Sequence, residues 1–418
     1  MEFVADLHIH SPYSRATSPR MSLEKLHQWA KTKGVQLLAT GDFTHPEWVK
    51  SLKRGLQLTE EGLFSLKNKE DEGVRFILST EISCIYSKGG KVRKIHLLIL
   101  APSLEAVDRI NQKLSPLGKL ASDGRPILGL DAKNLLEIVL NASEQCMVIP
   151  AHVMTPWFAL FGSKSGFDSL EECFEELSEH IFAMETGLSA DPSMVWRLPE
   201  GARLTLISNS DAHSPGNIAR EANVFNTEMS YPSVVDAIKT GRDSGLSYTI
   251  EFFPQEGKYH FDGHRSCDLR LSPHETKKYN NVCPRCGKPL TIGVMNRIEE
   301  LAVKPEGFKP DKSPPFKSLV PLKEIIAEVF DVGVKTKTVE KEYRRMIKEF
   351  NNELEVLLRV SQKELEHVTL PEVAEGVARV REGRVSIEPG YDGVYGEVKI
   401  FSKQEHEILS ESKQKVLF

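Results

Sequence analysis

EFVADLHIH, residues 2–10, is the stretch on which the reading of the chain turns. Phe3, Val4, Ala5 and Leu7 make a run with little polar alternation, the pattern of a strand buried on both faces. The run ends in Asp6, His8 and His10. The same arrangement recurs downstream. VQLLAT (35–40) leads into Gly41 and Asp42, with His45 just beyond. RFILST (75–80) leads into Glu81, and IHLLIL (95–100) carries His96. MVIPAH (147–152) ends in His152, IFAMET (181–186) contains Glu185, and LTLISN (204–209) leads to Asp211 and His213. SYTIEFF (247–253) is a last run of this kind. Between the runs lie segments with helical spacing, at 23–33, 103–114, 131–142, 168–180 and 232–240. Ser22 and Gly34 stand as cap and stop around the first of them. Alternating strand and helix predicts a largely parallel sheet, closed or nearly closed into a barrel. Residues 81–86 and 95–100, on either side of SKGGKVRK, predict a hairpin inside it.

In such barrels the side chains at strand C-termini share one mouth. Six of the thirteen histidines would therefore meet these carboxylates there. Imidazole and carboxylate at that density suit Zn, Mn or Fe better than Ca. A single histidine at a strand end is an ordinary core residue; six in succession point to metal.

The chain has 418 residues, with 54 Lys and Arg against 59 Asp and Glu for a net charge of -5. Hydrophobic residues make up 40%, the composition of a folded chain rather than a disordered one. No apolar run approaches the roughly 20 residues of a membrane span. The N-terminus has no signal-peptide pattern, so the expected location is cytoplasmic, with no membrane partner and with reduced cysteines. No Walker A loop, Gly-rich dinucleotide turn or Gly-x-Ser-x-Gly elbow is present.

DLHIH (6–10), GDFTH (41–45), STEIS (79–83), His96, AH (151–152), METG (184–187) and SNSDAH (208–213) together resemble the polymerase-and-histidinol-phosphatase (PHP) family. The resemblance implies a distorted (β/α)7 barrel over residues 1–253 and a phosphoesterase site with two or three divalent metals, Zn, Mn or Mg. By motif, His8, His10, Glu81 and Asp211 would hold one metal. Glu81 would bridge to a second held by His96 and His152. A third would use Asp42 or His45 with His213. Glu81, Asp211, His213 and Glu185 are the catalytic candidates. Glu185 is left as a ligand, an orienter, a base or simply a buried hydrogen-bonded carboxylate. Two departures concern the third site: Arg15 stands where many members have Asp, and Phe43 where a His is common.

Residues 254–302 have a different texture. His264-x2-Cys267 and Cys283-x2-Cys286 have the spacing of one structural zinc. His260 is the reserve ligand. The unit's role is either purely structural or, through Arg265, Arg285 and Lys288, contact with backbone phosphates. Residues 303–319, rich in Pro and Lys, predict a linker. Residues 320–418 predict a mainly helical region (321–333, 339–358, 360–368, 370–383) with a short β tail at 384–401. A basic strip from Lys335 to Lys348 is interleaved with Glu340, Glu342 and Glu349, which favours a solvated face.

The barrel, the zinc spacing, the helical region and the GYDGVYG tail (390–396) together resemble the endonuclease Q family. That resemblance implies a DNA repair endonuclease. It would hydrolyse the phosphodiester 5′ to deaminated bases (uracil, hypoxanthine, xanthine) and abasic sites, with metal-activated water and base flipping. DNA bearing such lesions is the implied partner, and a sliding clamp is a further one with no residue to assign. TPWFALFGSKSGF (155–167) is the expected DNA-facing loop, with Trp157, Phe158, Phe161 and Lys164. Arg15 and Arg93 are candidate phosphate contacts. The alternative is a small-molecule phosphatase of the histidinol-phosphatase kind, which would leave about 165 residues without a role.

Overall fold

The structure is a computed structural model that describes residues 1–69, 72–402 and 404–405. Its first half carries twelve strands: β1 (Glu2–Asp6), β2 (Leu37–Ala39), β3 (Leu56–Glu60), β4 (Leu63–Leu66), β5 (Arg75–Lys88), β6 (Lys91–Ala101), β7 (Ile127–Leu128), β8 (Met147–Pro150), β9 (Ala183–Glu185), β10 (Thr205–Ile207), β11 (Ala222–Asn226) and β12 (Leu246–Glu251).

Seven of them close a distorted barrel. β1, β2 and β5 are parallel neighbours. β5 turns back through Gly89 and Gly90 into β6, so these two are antiparallel, as the hairpin reading expects. β6 pairs antiparallel with β8. From β8 the ring continues to β9 through Val153 N–H donating to Glu185 O at 2.9 Å. β9 and β10 are parallel. The chain beyond β10 returns to the end of the first strand, where Ala212 pairs with Ile9 and accepts from His10 N–H at 3.0 Å. The barrel is thus mixed rather than wholly parallel. Its last closures are single bonds and side-chain bridges, as where the Asn223 amide holds both Ser208 N and Ser208 O.

Helices Leu23–Lys33, Leu104–Leu114, Ala132–Ala142 and Tyr231–Thr240 lie where the spacing predicts them. Gly34 stops the first with φ 90°, while Ser22 takes the capping backbone conformation without a side-chain bond. The 168–180 segment is a short α-helix, Leu170–Phe174, that continues as a 3-10 turn. The periodicity reading missed helix Pro46–Gly55 and the β3–β4 hairpin. It also missed β11, which lies antiparallel between β1 and β12 and extends the sheet outward.

The expected linker is not only a linker. Phe316–Ser318 adds a parallel strand to β12. The helices Leu322–Phe330, Lys337–Phe350, Glu353–Leu358, Gln362–Glu366 and Pro371–Arg381 follow. The expected helix 339–358 breaks at Asn351 (φ 70°), where Asn352 caps a new one. These helices bury Leu322, Ile325, Met346, Val356 and Val377 in the same apolar core that holds Phe3 and Ile99 of the barrel. A buried ion pair, Lys33 Nζ to Glu353 Oε2 at 2.7 Å, joins the two halves. The β tail forms as Ser386–Glu388 paired with Glu397–Lys399, and residues 406–418 of the expected C-terminal region lie outside the described residues. Among the described residues no helix is long and apolar enough to cross a membrane.

Candidate metal centre and nucleic-acid face

His8, His10, Glu81 and Asp211 each offer a ligand atom within 4.8 Å of one another, and Glu81, His96 and His152 do the same. Glu81 belongs to both groups. Its Oε2 lies 3.2 Å from His10 Nε2 and 3.5 Å from His8 Nε2, while its Oε1 lies 2.7 Å from His96 Nδ1 and 3.0 Å from His152 Nε2. Register explains the meeting. The β5–β6 ladder sets Glu81 opposite Leu98 with His96 two places before it on β6, and β8 delivers His152 alongside. Asp42, His152 and Asp211 all have left-handed backbones, with φ of 50°, 32° and 47°. Non-glycine residues in that region cluster at sites whose surroundings hold them there.

The test of whether metals fit is which atoms are spoken for. His8 Nδ1 bonds Glu185 at 2.9 Å, and His10 Nδ1 bonds Asp42 at 2.9 Å. Carboxylates behind imidazoles fix the tautomer and turn Nε2 inward. His8 Nε2, His10 Nε2 and Asp211 Oδ1 are then buried without a well-formed hydrogen bond, although His10 Nε2 lies 2.9 Å from Asp211 Oδ1. Buried polar atoms left this way are costly, and a divalent cation at their meeting point would satisfy all three. Charge points the same way. Burial pushes the His8 imidazole down, yet Glu185 and Glu81 raise its pKa well above its ordinary value. Burial likewise raises Glu81, but His96 and Arg125 hold it well below the usual carboxylate range. His96 itself is pushed by burial to about 4, a neutral ligand-ready ring. The cage calls for positive charge at its centre.

Two expected ligands are held in hydrogen bonds. Asp42 gives Oδ1 to His10, while its Oδ2 accepts from Ser11 N at 2.6 Å and Ser14 Oγ at 2.9 Å. It is an orienter of His10. Glu185, the catalytic candidate, accepts from His152 N and Asn209 Nδ2 as well as holding His8. His45 stacks on Tyr13 with ring centroids 4.2 Å apart. His213 Nδ1 donates to Asp211 O at 2.8 Å, and its ring lies beside His10. Among the described residues Asp42, His45 and His213 form no third ligand cluster.

Sequence reasoning missed Arg125, whose Nη1 donates to Glu81 Oε2 at 2.9 Å. It lies in a loop between two helices, with no motif around it, and only strand pairing brings it to the mouth.

His264, Cys267, Cys283 and Cys286 also meet, with Cys286 Sγ 3.5 Å from His264 Nδ1. His264 ends the first strand of the hairpin Asp262–His264/Leu269–Leu271, and Cys267 lies in its turn. Only Leu271, Cys283 and Leu290 form its own buried cluster. Arg285 donates from Nη1 to the carbonyls of Cys267 and Asp268. The reserve ligand His260 is buried elsewhere, its pKa lowered to about 4 by burial.

In the 155–167 loop Trp157 is 42% exposed and packs edge-on against Tyr259, and Lys164 is exposed. Phe158 leans on His96 and Phe161 is core. Arg93 lies over the Phe167 ring and donates to Gly166 O. Arg15 is exposed. Beside this loop a cavity of about 620 Å3 opens between Thr155, Trp157, Leu188, Glu256, Tyr259 and Tyr395.

The seven-strand barrel with its shared-carboxylate cage is that of a metal-dependent phosphoesterase of the PHP type. The chain is 32% identical to the lesion-specific endonuclease PfuEndoQ from Pyrococcus furiosus, over 96% of this chain and 95% of that one, with a TM-score of 0.85. It therefore belongs to the endonuclease Q family. A crystal structure of endonuclease Q with a 27-mer duplex substrate, an abasic lesion at its active site, is also 32% identical, covering 96% of this chain and 98% of that one with a TM-score of 0.84. Residues 321–384 match the family model described as MJ0043 C-terminal domain. The uncharacterized protein MJ0043 of Methanocaldococcus jannaschii is 36% identical over 58% of this chain, which spans only 31% of that relative's length.

Proposed function

We propose that this DNA repair endonuclease hydrolyses the phosphodiester on the 5′ side of deaminated bases (uracil, hypoxanthine, xanthine) and abasic sites, leaving a 3′-hydroxyl and a 5′-phosphate. One observation carries the reading: buried ligand atoms on His8, His10 and Asp211, with no well-formed hydrogen bond, converge beside Glu81, in a barrel of the endonuclease Q family. His8, His10, Glu81 and Asp211 would hold one metal, and Glu81, His96 and His152 a second. Bound there, divalent metals supply Lewis acidity toward a phosphate oxygen and lower the pKa of an attacking water.

The chain's own residues do the rest. Glu185 and Asp42 fix the two imidazoles of the first site. His213 donates Nδ1–H to Asp211 O, which leaves its Nε2 lone pair for a metal or a proton. The cavity beside Trp157 is of a size to receive a base turned out of the stack, with Trp157 and Tyr259 as apolar walls. His264, Cys267, Cys283 and Cys286 would hold the structural zinc.

The test incubates the protein and Mn2+ with a uracil-containing duplex, an abasic duplex, an undamaged duplex and a phosphomonoester. Cleavage 5′ to the lesions alone is expected; turnover only of the monoester would select the small-molecule phosphatase instead. Asp211→Asn should keep the fold and DNA affinity while abolishing cleavage. Trp157→Ala should weaken binding of the lesion duplex by about 1–3 kcal/mol, read by fluorescence anisotropy, with little change for undamaged DNA.

A further inference from the structure

The loop 119–128 crosses the barrel mouth and is held there from both sides. Gly124 N–H donates to Tyr13 O at 3.0 Å, and Ser83 N–H donates to Pro126 O at 3.1 Å. β7 then pairs Ile127 and Leu128 with Ser83 and Cys84 of β5. Arg125 N–H adds a bond to Asp123 Oδ1 at 3.1 Å. Gly124 is required by the approach: a Cβ there would lie 2.3 Å from Asp42 Oδ2 and 2.4 Å from Ser14 Oγ. The backbone thus presses against the carboxylate that orients His10, and the next residue, Arg125, reaches the shared ligand Glu81. Its side chain is 27% exposed, at the boundary between the buried cage and the open mouth.

A fixed guanidinium beside a two-metal site raises an electrostatic question. Two divalent cations around Glu81 would repel it, and Glu81 would have little charge left to share. The arrangement is favourable only if a further anion joins the site. Among the described residues the Arg125 guanidinium makes one bond, through Nη1 to Glu81. Nε and Nη2 remain free for a second acceptor. Arg presents those donors in a planar fork suited to phosphate.

We propose that Arg125 is a catalytic residue that clamps the scissile phosphodiester against the Glu81-linked metals, exchanging part of its bond to Glu81 for bonds to the phosphate. It would stabilise the charge that grows on the phosphate oxygens as the bond to the leaving oxygen breaks. The inference rests on the phosphodiesterase reading of the site but not on the identity of the lesion.

The experiment compares wild type, Arg125→Lys and Arg125→Ala as full-length proteins, with folding checked by thermal melting and metal content by elemental analysis. Two substrates are used: an abasic duplex and bis(p-nitrophenyl) phosphate. Arg125→Ala is expected to retain its metals and lose 100- to 1000-fold in single-turnover rate on the duplex. Its log-log salt slope for DNA binding should flatten by about one. Arg125→Lys should recover part of the binding but little of the rate, and millimolar guanidinium should restore rate to Arg125→Ala on the small diester. Unchanged rate and salt slope in Arg125→Ala would overturn the proposal. So would a rate loss explained wholly by lost metal, because Arg125 would then be only a structural partner of Glu81. If wild type hydrolyses the small diester but not the lesion duplex, the lesion reading fails while the guanidinium arm still decides the role of Arg125.

Discussion

His8 and His10 show how much of a site depends on atoms behind the ligands. Each imidazole is turned by a carboxylate on its far nitrogen, Glu185 for one and Asp42 for the other. The prediction that follows belongs to Asp42. Asp42→Asn keeps an acceptor but can offer His10 an amide in place of a charge. It should weaken metal binding about 10- to 100-fold, measured by competition with a chelating dye, without unfolding the chain. If Asp42 were instead a direct ligand, the variant should lose a metal outright. His8, His10, His152 and Glu81 were legible in the sequence because each sits at the end of an apolar run, and His96 because it interrupts one. The orienting role of Asp42 was not, because a carboxylate on a strand-end loop reads the same whether it faces a metal or an imidazole.

Among the elements, the zinc unit and the C-terminal helices make opposite contrasts. The hairpin around His264 and Cys283 has a small apolar cluster of its own, so a metal would supply most of its folding energy. Cys283→Ser should release the zinc, detected with a colorimetric chelator, and make residues 262–292 sensitive to protease while the barrel melts nearly as before. The tail stands against that unit: Asp392 accepts from Arg265 N–H at 2.6 Å and from Thr291 Oγ at 2.6 Å. The helices from Leu322 onward do not stand apart in this way. Their periodicity announced amphipathic helices, but the core they would cover was not written in it. Nor was the Phe316–Ser318 strand, which sits among prolines and lysines and forms because β12 offers it an open edge.

For the molecule as a whole, buried acids also lie outside the two ligand groups. Glu251 is buried and accepts from Ser208 and Thr249 hydroxyls, and burial raises its pKa from the model-compound 4.5 to about 8. Glu221 beside it is raised well above its ordinary value by burial and by the charge of Glu251. An acid with a raised folded pKa holds its proton longer in the native state. Its contribution to stability is complete below 4.5 and is lost as pH rises toward 8. The slope from Glu251 is at most about 1.4 kcal/mol per pH unit. Melting temperatures should therefore fall across that window in wild type. In Glu251→Gln the fall should be shallower, with Glu221 keeping part of it. A flat wild-type profile would contradict the assignment.

Read alone, the chain determines its metal-ligand chemistry, its zinc spacing and most barrel staves, because these are local: an apolar run ending in histidine, or four ligands at fixed intervals. Tertiary structure decides what depends on meeting across sequence distance. Ile9 closes on Ala212, Arg125 arrives at Glu81 because β7 pairs with β5, and Lys33 finds Glu353 across more than three hundred residues. Such contacts are set by register and packing, which no local pattern of side chains encodes.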